Sequence, residues 1–242
     1  MTSQKHFTEE IHKVYFSKEL RGANEEYHLA LREHMLSKVG GSSALEIGVG
    51  AGDWSQSLAN LYKTLDLVES APSLLDNADL LSRNKKAVVH CHCSNVEDFM
   101  PQPDQKWQDI FMTFLLEHLE DPVSTLKKIK QWLEPQGRLI LAVPNANSIH
   151  RVLAVRMGLI KKIDQLSDND IKVGHYRVYT KQLLKKHLKL AGFNLIQMEN
   201  IGMKHLNITQ LDSMPEDVVK ILARSGDLCP PYSAYIGVIA MR

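Results

Sequence analysis

One short stretch constrains this chain more than any other: the apolar run of SALEIGVG closing on Glu46-Ile47-Gly48-Val49-Gly50-Ala51-Gly52-Asp53. A short apolar run that ends on glycines reads as a buried strand entering a tight turn. Glycine lets the backbone turn sharply and lets a ligand approach with no Cβ in the way. The segment that follows, WSQSLANLYK, has helical spacing. A strand, a glycine turn and a helix in that order form the ligand-binding corner of an open α/β sheet, where the carboxyl ends of the strands open onto a crevice.

The rest of the chain supports such a sheet. TLDLVES reads as a second strand, APSLLDNADLLSR as a helix, AVVHCHC as a third strand and DIFMTFLL as a fourth. Asp121-Pro122 is an N-cap with proline at the first helical position, opening the helix VSTLKKIKQWL. RLILAVP is a fifth strand. Regular strand–helix alternation predicts a parallel sheet with helices on both faces. TKQLLKKHLKLAG predicts a late helix, and FNLIQMEN and SAYIGVIAM predict sixth and seventh strands paired antiparallel. The first forty residues carry two helical patterns, about 8–20 and 24–38.

No repeat or linker divides the sequence, so one domain over 1–242 is expected. Residues 1–40 would form a helical lid, with 145–180 and 201–232 as insertions capping a pocket. A hydrophobic fraction of 44% and a charged fraction of 24% suit a single globular core. Lys plus Arg is 29 against 28 Asp plus Glu, which gives no general attraction to nucleic acid or membrane. No stretch reaches the roughly 18 to 20 apolar residues of a membrane span. The N-terminal segment lacks a signal-peptide core, and three cysteines make no disulfide framework. A cytoplasmic protein is the expectation.

The glycine turn has an acidic partner. Glu69 ends the second strand 19 residues after Gly50, where a carboxylate can accept hydrogen bonds from both hydroxyls of a ribose. A dinucleotide fingerprint would need glycine at its sixth position, which here is Asp53. An acid there is awkward beside a pyrophosphate but tolerable near a sulfonium and an ammonium. The spacing favours S-adenosylmethionine.

Five blocks together resemble the class I S-adenosylmethionine-dependent methyltransferases, nearest the small-molecule type that includes the ubiquinone-pathway O-methyltransferases. LEIGVGAGDWSQSLA resembles the family's first motif, LVES the second and SNVEDF the block after the third strand. DIFMTFLLEHLEDP and LEPQGRLILAVPN resemble the blocks at the fourth and fifth strands. The resemblance covers residues 24 to 200 and implies a Rossmann-like fold, a seven-stranded, mostly parallel sheet with an antiparallel last strand. It implies that Glu46, Gly48, Val49, Gly50 and Gly52 line the amino-acid end of the cofactor. Glu69 with Ser70 would take the ribose, Asn95 with Val96 the adenine, and Phe114 and Leu115 the methyl side. An acid is common in the family where Asn95 stands, and the usual glycine pair before the fifth strand is Gln136-Gly137, read here as a neutral change.

Methyl transfer from a sulfonium needs in-line positioning and, for a hydroxyl acceptor, a destination for the proton. His118 is the first candidate for that role and His175, in the GHYRVY loop, the second. No metal site is expected, because the side chains of His90-Cys91-His92-Cys93 alternate faces on a strand and no second cluster completes four ligands. Between 150 and 205 there are eleven Lys or Arg against four acids. His150, Arg151, Tyr176, Arg177 and Lys204 are therefore the candidate substrate-binding residues, for a small acceptor carrying a carboxylate or phosphate. Two further readings stay open: an N-methyltransferase of an amine or amino sugar, and a binding protein without turnover.

Overall fold

The computed structural model describes residues 22–83, 85–206 and 208–242. The helical pattern at about 8–20, and with it the first half of the expected lid, lies outside the described residues. The elements are α1 (Asn24–Leu36), β1 (Ser43–Ile47), α2 (Asp53–Leu61), β2 (Thr64–Glu69), α3 (Pro72–Ser82) and β3 (Val88–Cys93). They continue with β4 (Trp107–Thr113), α4 (Pro122–Trp132), β5 (Leu133–Pro144), α5 (Ile149–Arg156), α6 (Asp168–Lys172) and α7 (Lys181–Leu190). The chain closes with β6 (Asn194–Ile201), α8 (Ile208–Leu211), α9 (Glu216–Arg224) and β7 (Tyr235–Met241).

One seven-stranded sheet runs in the order β3-β2-β1-β4-β5-β7-β6. β1 pairs in parallel with both β2 and β4, while β7 is antiparallel to β5 and to β6. The order turns outward in both directions from the β1–β4 junction, so the loops leaving these two strands diverge and leave a crevice between them. The glycine turn leaves β1 there, as its sequence predicts.

Two apolar layers flank the sheet. Leu31 and Met35 of α1, Leu58 of α2 and Leu75 of α3 cover one face. Leu126 and Ile129 of α4 and Leu184 and Leu188 of α7 cover the other. All but Leu75 are fully buried, and burying such a side chain stabilises by about 1.5 to 3 kcal/mol. The start of β4 carries a polar knot: the Arg138 guanidinium donates to Asp109 at 2.6 and 2.7 Å, and the Tyr62 hydroxyl donates to the same carboxylate at 2.6 Å. It lies at the end of the strand opposite the crevice, and its work is structural.

The helix after β4 starts as its sequence predicts: Asp121 Oδ1 accepts from the Ser124 amide at 3.0 Å, with Pro122 in the first turn. The 201–232 excursion contains α9, whose EDVVKILAR spacing places Val219 and Ala223 on one buried face. Gln136 is a departure from expectation. Its φ is +65°, a left-handed conformation that glycine adopts freely and other residues at a cost, so the exchange is strained rather than neutral.

Candidate functional site

Three glycines of the turn adopt positive φ: Gly48 at 76°, Gly50 at 52° and Gly52 at 84°. A Cβ on Gly50 would meet nothing within 4 Å, so open space faces that position. A Cβ on Gly48 would come 3.3 Å from the Leu115 side chain, which shows how closely the loop after β4 approaches the turn.

Glu69 ties the turn to the exit of β2. Its Oε2 accepts from the Val49 amide at 3.1 Å, and its Oε1 from the amides of Ser70 at 2.8 Å and Ala71 at 3.0 Å. Glu46 lies almost wholly buried beside them and accepts from Ser55 Oγ at 2.6 Å. Burial pushes its carboxyl up to about 8, the Ser55 hydrogen bond opposing and the charges of Glu69 and Asp53 adding to the rise. Val96 is buried after β3, and Asn95 is exposed with its amide directed to Asp98 at 3.4 Å.

The loop leaving β4 carries the second half of the site. Phe114 has φ +54°, and its ring lies 4.9 Å from both His28 of α1 and Tyr235 of β7. The next turn presents Glu117 and His118. Glu117 is 1% exposed, and its Oε2 has no hydrogen-bond partner. Burial pushes its carboxyl up to about 7. The His118 ring packs edge-on against His175 with centroids 4.6 Å apart. Burial, then the charge of His175, lowers His118 to about 4, against a hydrogen bond to Gly174. Both sequence-derived catalytic candidates therefore come together.

Sequence reasoning missed two residues here. Glu117 stands inside the Leu-Glu-His triplet, where the eye goes to the histidine. Asp170 lies in the first turn of α6, its Oδ1 3.0 Å from His175 Nδ1, and its Oδ2 accepts from Ser167 and Arg151. Burial works to raise Asp170, but the hydrogen bonds from His175 and Ser167 and the charge of Arg151 prevail and hold it well below the usual range. Among the described residues, Glu117, His118 and His175 are the one group of metal-binding residue types whose ligand atoms all lie within 4.8 Å of one another. They could hold a metal ion, a geometry the sequence reading did not foresee. The His90–Cys93 run does not join it: Cys91 and Cys93 are exposed, and His92 Nε2 lies 2.7 Å from Asp66.

The expected substrate cations are placed differently from their sequence reading. Arg177 donates to the carbonyls of Leu116 at 3.3 Å, Glu120 at 2.9 Å and Leu119, pinning the loop that carries Glu117 and His118. Arg151 donates to Asp170 at 3.0 Å and to the carbonyls of Ile163 and Gln165 inside the cap. Their fork geometry is used by the protein itself. Tyr176 is exposed. His150 and Lys204 meet beside α1, where Lys204 Nζ donates to Asn24 Oδ1 at 2.9 Å. Burial lowers Lys204 to about 8 and, with the charges of Lys204 and Arg151, His150 to about 4.

At the β1–β4 crevice the glycine turn is clasped by Glu69 and approached by Leu115 of the loop that carries Glu117 and His118. A family profile described as a methyltransferase domain matches residues 15–198, and the chain belongs to that family. Among curated relatives, the ubiquinone biosynthesis O-methyltransferase of Xanthomonas euvesicatoria pv. vesicatoria is 28% identical over 118 residues, 49% of each chain. The N-terminal Xaa-Pro-Lys N-methyltransferase 1 of Danio rerio is 32% identical over 108 residues, 43% of this chain and 48% of that one. The matches thus span about half the length of the curated relatives. Among solved structures, the N-methyltransferase NodS of Bradyrhizobium japonicum WM9 with S-adenosyl-L-homocysteine superposes with a TM-score of 0.61 at 14% identity, covering 98% of both chains. A Mesorhizobium loti S-adenosylmethionine-dependent methyltransferase gives 0.62 at 15% identity over 91% of this chain and 100% of that one. These two likenesses establish the fold. No helix among the described residues is long and apolar enough to cross a membrane.

Proposed function

We propose that the protein transfers the methyl group of S-adenosylmethionine to a hydroxyl of a small polar metabolite. The observation that carries this reading is the approach of Leu115, on the loop that bears Glu117 and His118, to the glycine turn at the exit of β1. The left-handed glycines with Glu46 and Glu69 suit a ligand bearing an ammonium and a ribose. The Glu117–His118–His175 cluster stands on the neighbouring loop, and Leu115 of that loop touches the glycine turn. In this reading Gly48, Val49, Gly50 and Gly52 admit the methionine end, Glu69 and Ser70 the ribose, and Asn95 and Val96 the adenine. Phe114 and Leu115 flank the methyl group.

The proton of a hydroxyl acceptor needs a base near its working pH. His118, held down at about 4, is a weak one, and Glu117, which burial pushes up to about 7, takes that role instead. The basic excess of the cap no longer argues for an anionic acceptor with its former force, because Arg151 and Arg177 have partners within the protein. His150 and Lys204 remain to meet a polar group at the outer end. Transfer to nitrogen is the second reading, supported by the N-methyltransferases among its relatives and structural neighbours.

The test is production of S-adenosylhomocysteine from S-adenosylmethionine across a set of small hydroxylated and aminated acceptors. Turnover confined to hydroxyl acceptors supports the first reading, and turnover confined to amines the second. A preference for nicotinamide dinucleotides over S-adenosylmethionine in binding would overturn both.

A further inference from the structure

The turn that ends α5 exposes apolar side chains on a rigid frame. Gly158, at φ +73°, takes its left-handed position. The Gly158 amide donates to the Val155 carbonyl at 3.0 Å, and the Leu159 amide to the Ala154 carbonyl at 2.9 Å. This pair of bonds stops a helix firmly, and the residue after the glycine, when apolar, commonly packs back on the helix. Here that residue is Leu159, and its counterpart in the motif is Ala154, whose single methyl covers little of a leucine. Leu159 stays 69% exposed. Met157 is 71% exposed beside it, and Leu153, one turn earlier on α5, is exposed as well. A Cβ on Gly158 would meet nothing within 4 Å, so the turn faces open space there. It is nevertheless held from below. The Arg151 guanidinium donates to the carbonyls of Ile163, at 2.8 Å, and Gln165, and Gln165 Oε1 accepts from the Lys161 amide at 2.7 Å.

Charge of one sign surrounds this tip. From Arg151 to Ile163 the chain carries Arg151, Arg156, Lys161 and Lys162 and no acid, the first being Asp164. Arg151 is engaged by Asp170. Arg156, Lys161 and Lys162 are exposed, and among the described residues none of the three forms an ion pair. The net charge of +1 over the whole chain conceals this local excess. We propose that residues 153–162 form a peripheral membrane-docking element. It seats Leu153, Met157 and Leu159 at the headgroup–acyl boundary of an anionic phospholipid surface and sets Arg156, Lys161 and Lys162 on the phosphates. Such a surface makes both demands together: its hydrocarbon takes the aliphatic tips and its headgroups take the cations. A protruding turn with three aliphatic side chains falls well short of the roughly 800 Å² per partner of a stable protein interface. RNA would use the cations but leave Met157 and Leu159 in water, since bases stack on aromatic side chains. Docking is reversible, because the apolar tip is short and each cation strengthens attachment only about fivefold. It does not depend on which acceptor is methylated.

The experiment is co-sedimentation of the full chain with vesicles of phosphatidylcholine alone, and of phosphatidylcholine with about one-third phosphatidylglycerol. The expected result is binding to the anionic vesicles at least about tenfold tighter than to the neutral ones, lost as salt rises from about 0.05 to 0.5 M. Met157→Asp with Leu159→Asp should weaken it at least about tenfold, and Lys161→Gln with Lys162→Gln about 25-fold. These side chains are exposed, so both variants should keep the parent's melting temperature. Leu159→Trp gives a second readout, because Trp54, Trp107 and Trp132 are buried. Its emission should shift to the blue on anionic vesicles and be quenched by brominated acyl chains. Equal binding to neutral vesicles, a folded aspartate variant that binds like the parent, or a Leu159→Trp emission indifferent to vesicles overturns the proposal. Tighter binding of a mixed-sequence RNA oligonucleotide than of anionic vesicles also overturns it and assigns the cations to nucleic acid. Self-association abolished by Met157→Asp with Leu159→Asp overturns it too and assigns the tip to a second copy of the chain.

Discussion

Glu46 offers a perturbation whose size follows from the structure. It is 2% exposed, and burial pushes its carboxyl from the usual 4.5 up to about 8. The folded free protein therefore binds a proton there that the unfolded chain has released between those two values. More protons on the native state mean that stability falls as pH rises through that window. At about 1.36 kcal/mol per unit, the full effect is on the order of 3 to 6 kcal/mol. In the proposed binding mode the cofactor's ammonium lies near Glu46 and reverses the preference, favouring the carboxylate form. If only the carboxylate form binds, S-adenosylhomocysteine affinity should rise about 25-fold between roughly pH 6 and 7.5, where the ligand's ammonium stays protonated. Glu46→Gln removes the titration. The variant should melt higher than the parent near pH 7.5 when free, bind S-adenosylhomocysteine more weakly there, and show a flat affinity profile. Calorimetric titration at several pH values, with thermal denaturation of the free proteins, measures all three. Parallel pH profiles for the two proteins would refute the reasoning, because the slope would then belong to another group.

Glu69→Ala should weaken S-adenosylhomocysteine binding by about 1.5 to 3 kcal/mol and also lower the melting temperature, because the amides of Val49, Ser70 and Ala71 lose their acceptor. Unchanged affinity in a folded variant would make Glu69 a turn residue alone. Arg177→Ala should destabilise the free protein by about 2 kcal/mol, with lysine a poor rescue, because one ammonium cannot reach three carbonyls as a guanidinium does. A variant that melts normally while acceptor KM rises would restore the anion-binding role read from the sequence. Gln136→Gly should stabilise by about 0.5 to 1 kcal/mol in denaturant unfolding, since it relieves a left-handed residue at the turn before the RLILAVP run.

The fold was legible because its determinants are local. The SALEI and TLDLV runs, the glycines and the Asp121-Pro122 cap each specify their own element, and strand–helix alternation specifies the sheet. The positions of Glu46 and Glu69 were legible for the same reason, since they end or nearly end strands that the pattern identifies. The surroundings of the Glu117–His118–His175 cluster were not, because they depend on contacts across the chain. Nothing local tells that Arg177 reaches back to the carbonyls of 116–120, or that Asp170 serves Ser167, Arg151 and His175 together. Counting cations in the cap saw their charge but not their partners. Glu117 was hidden differently: only burial without a hydrogen bond sets it apart from an ordinary loop acid.

The central claim is that the β1–β4 crevice holds S-adenosylmethionine with its methyl group directed at the Glu117–His118–His175 cluster. Its most direct measurement is a crystal structure of the protein with S-adenosylhomocysteine. The account predicts the ribose hydroxyls on Glu69, the amino-acid ammonium near Glu46, and the sulfur facing Phe114 and the cluster. A ligand seated elsewhere, or one whose sulfur faces away from that loop, would contradict it.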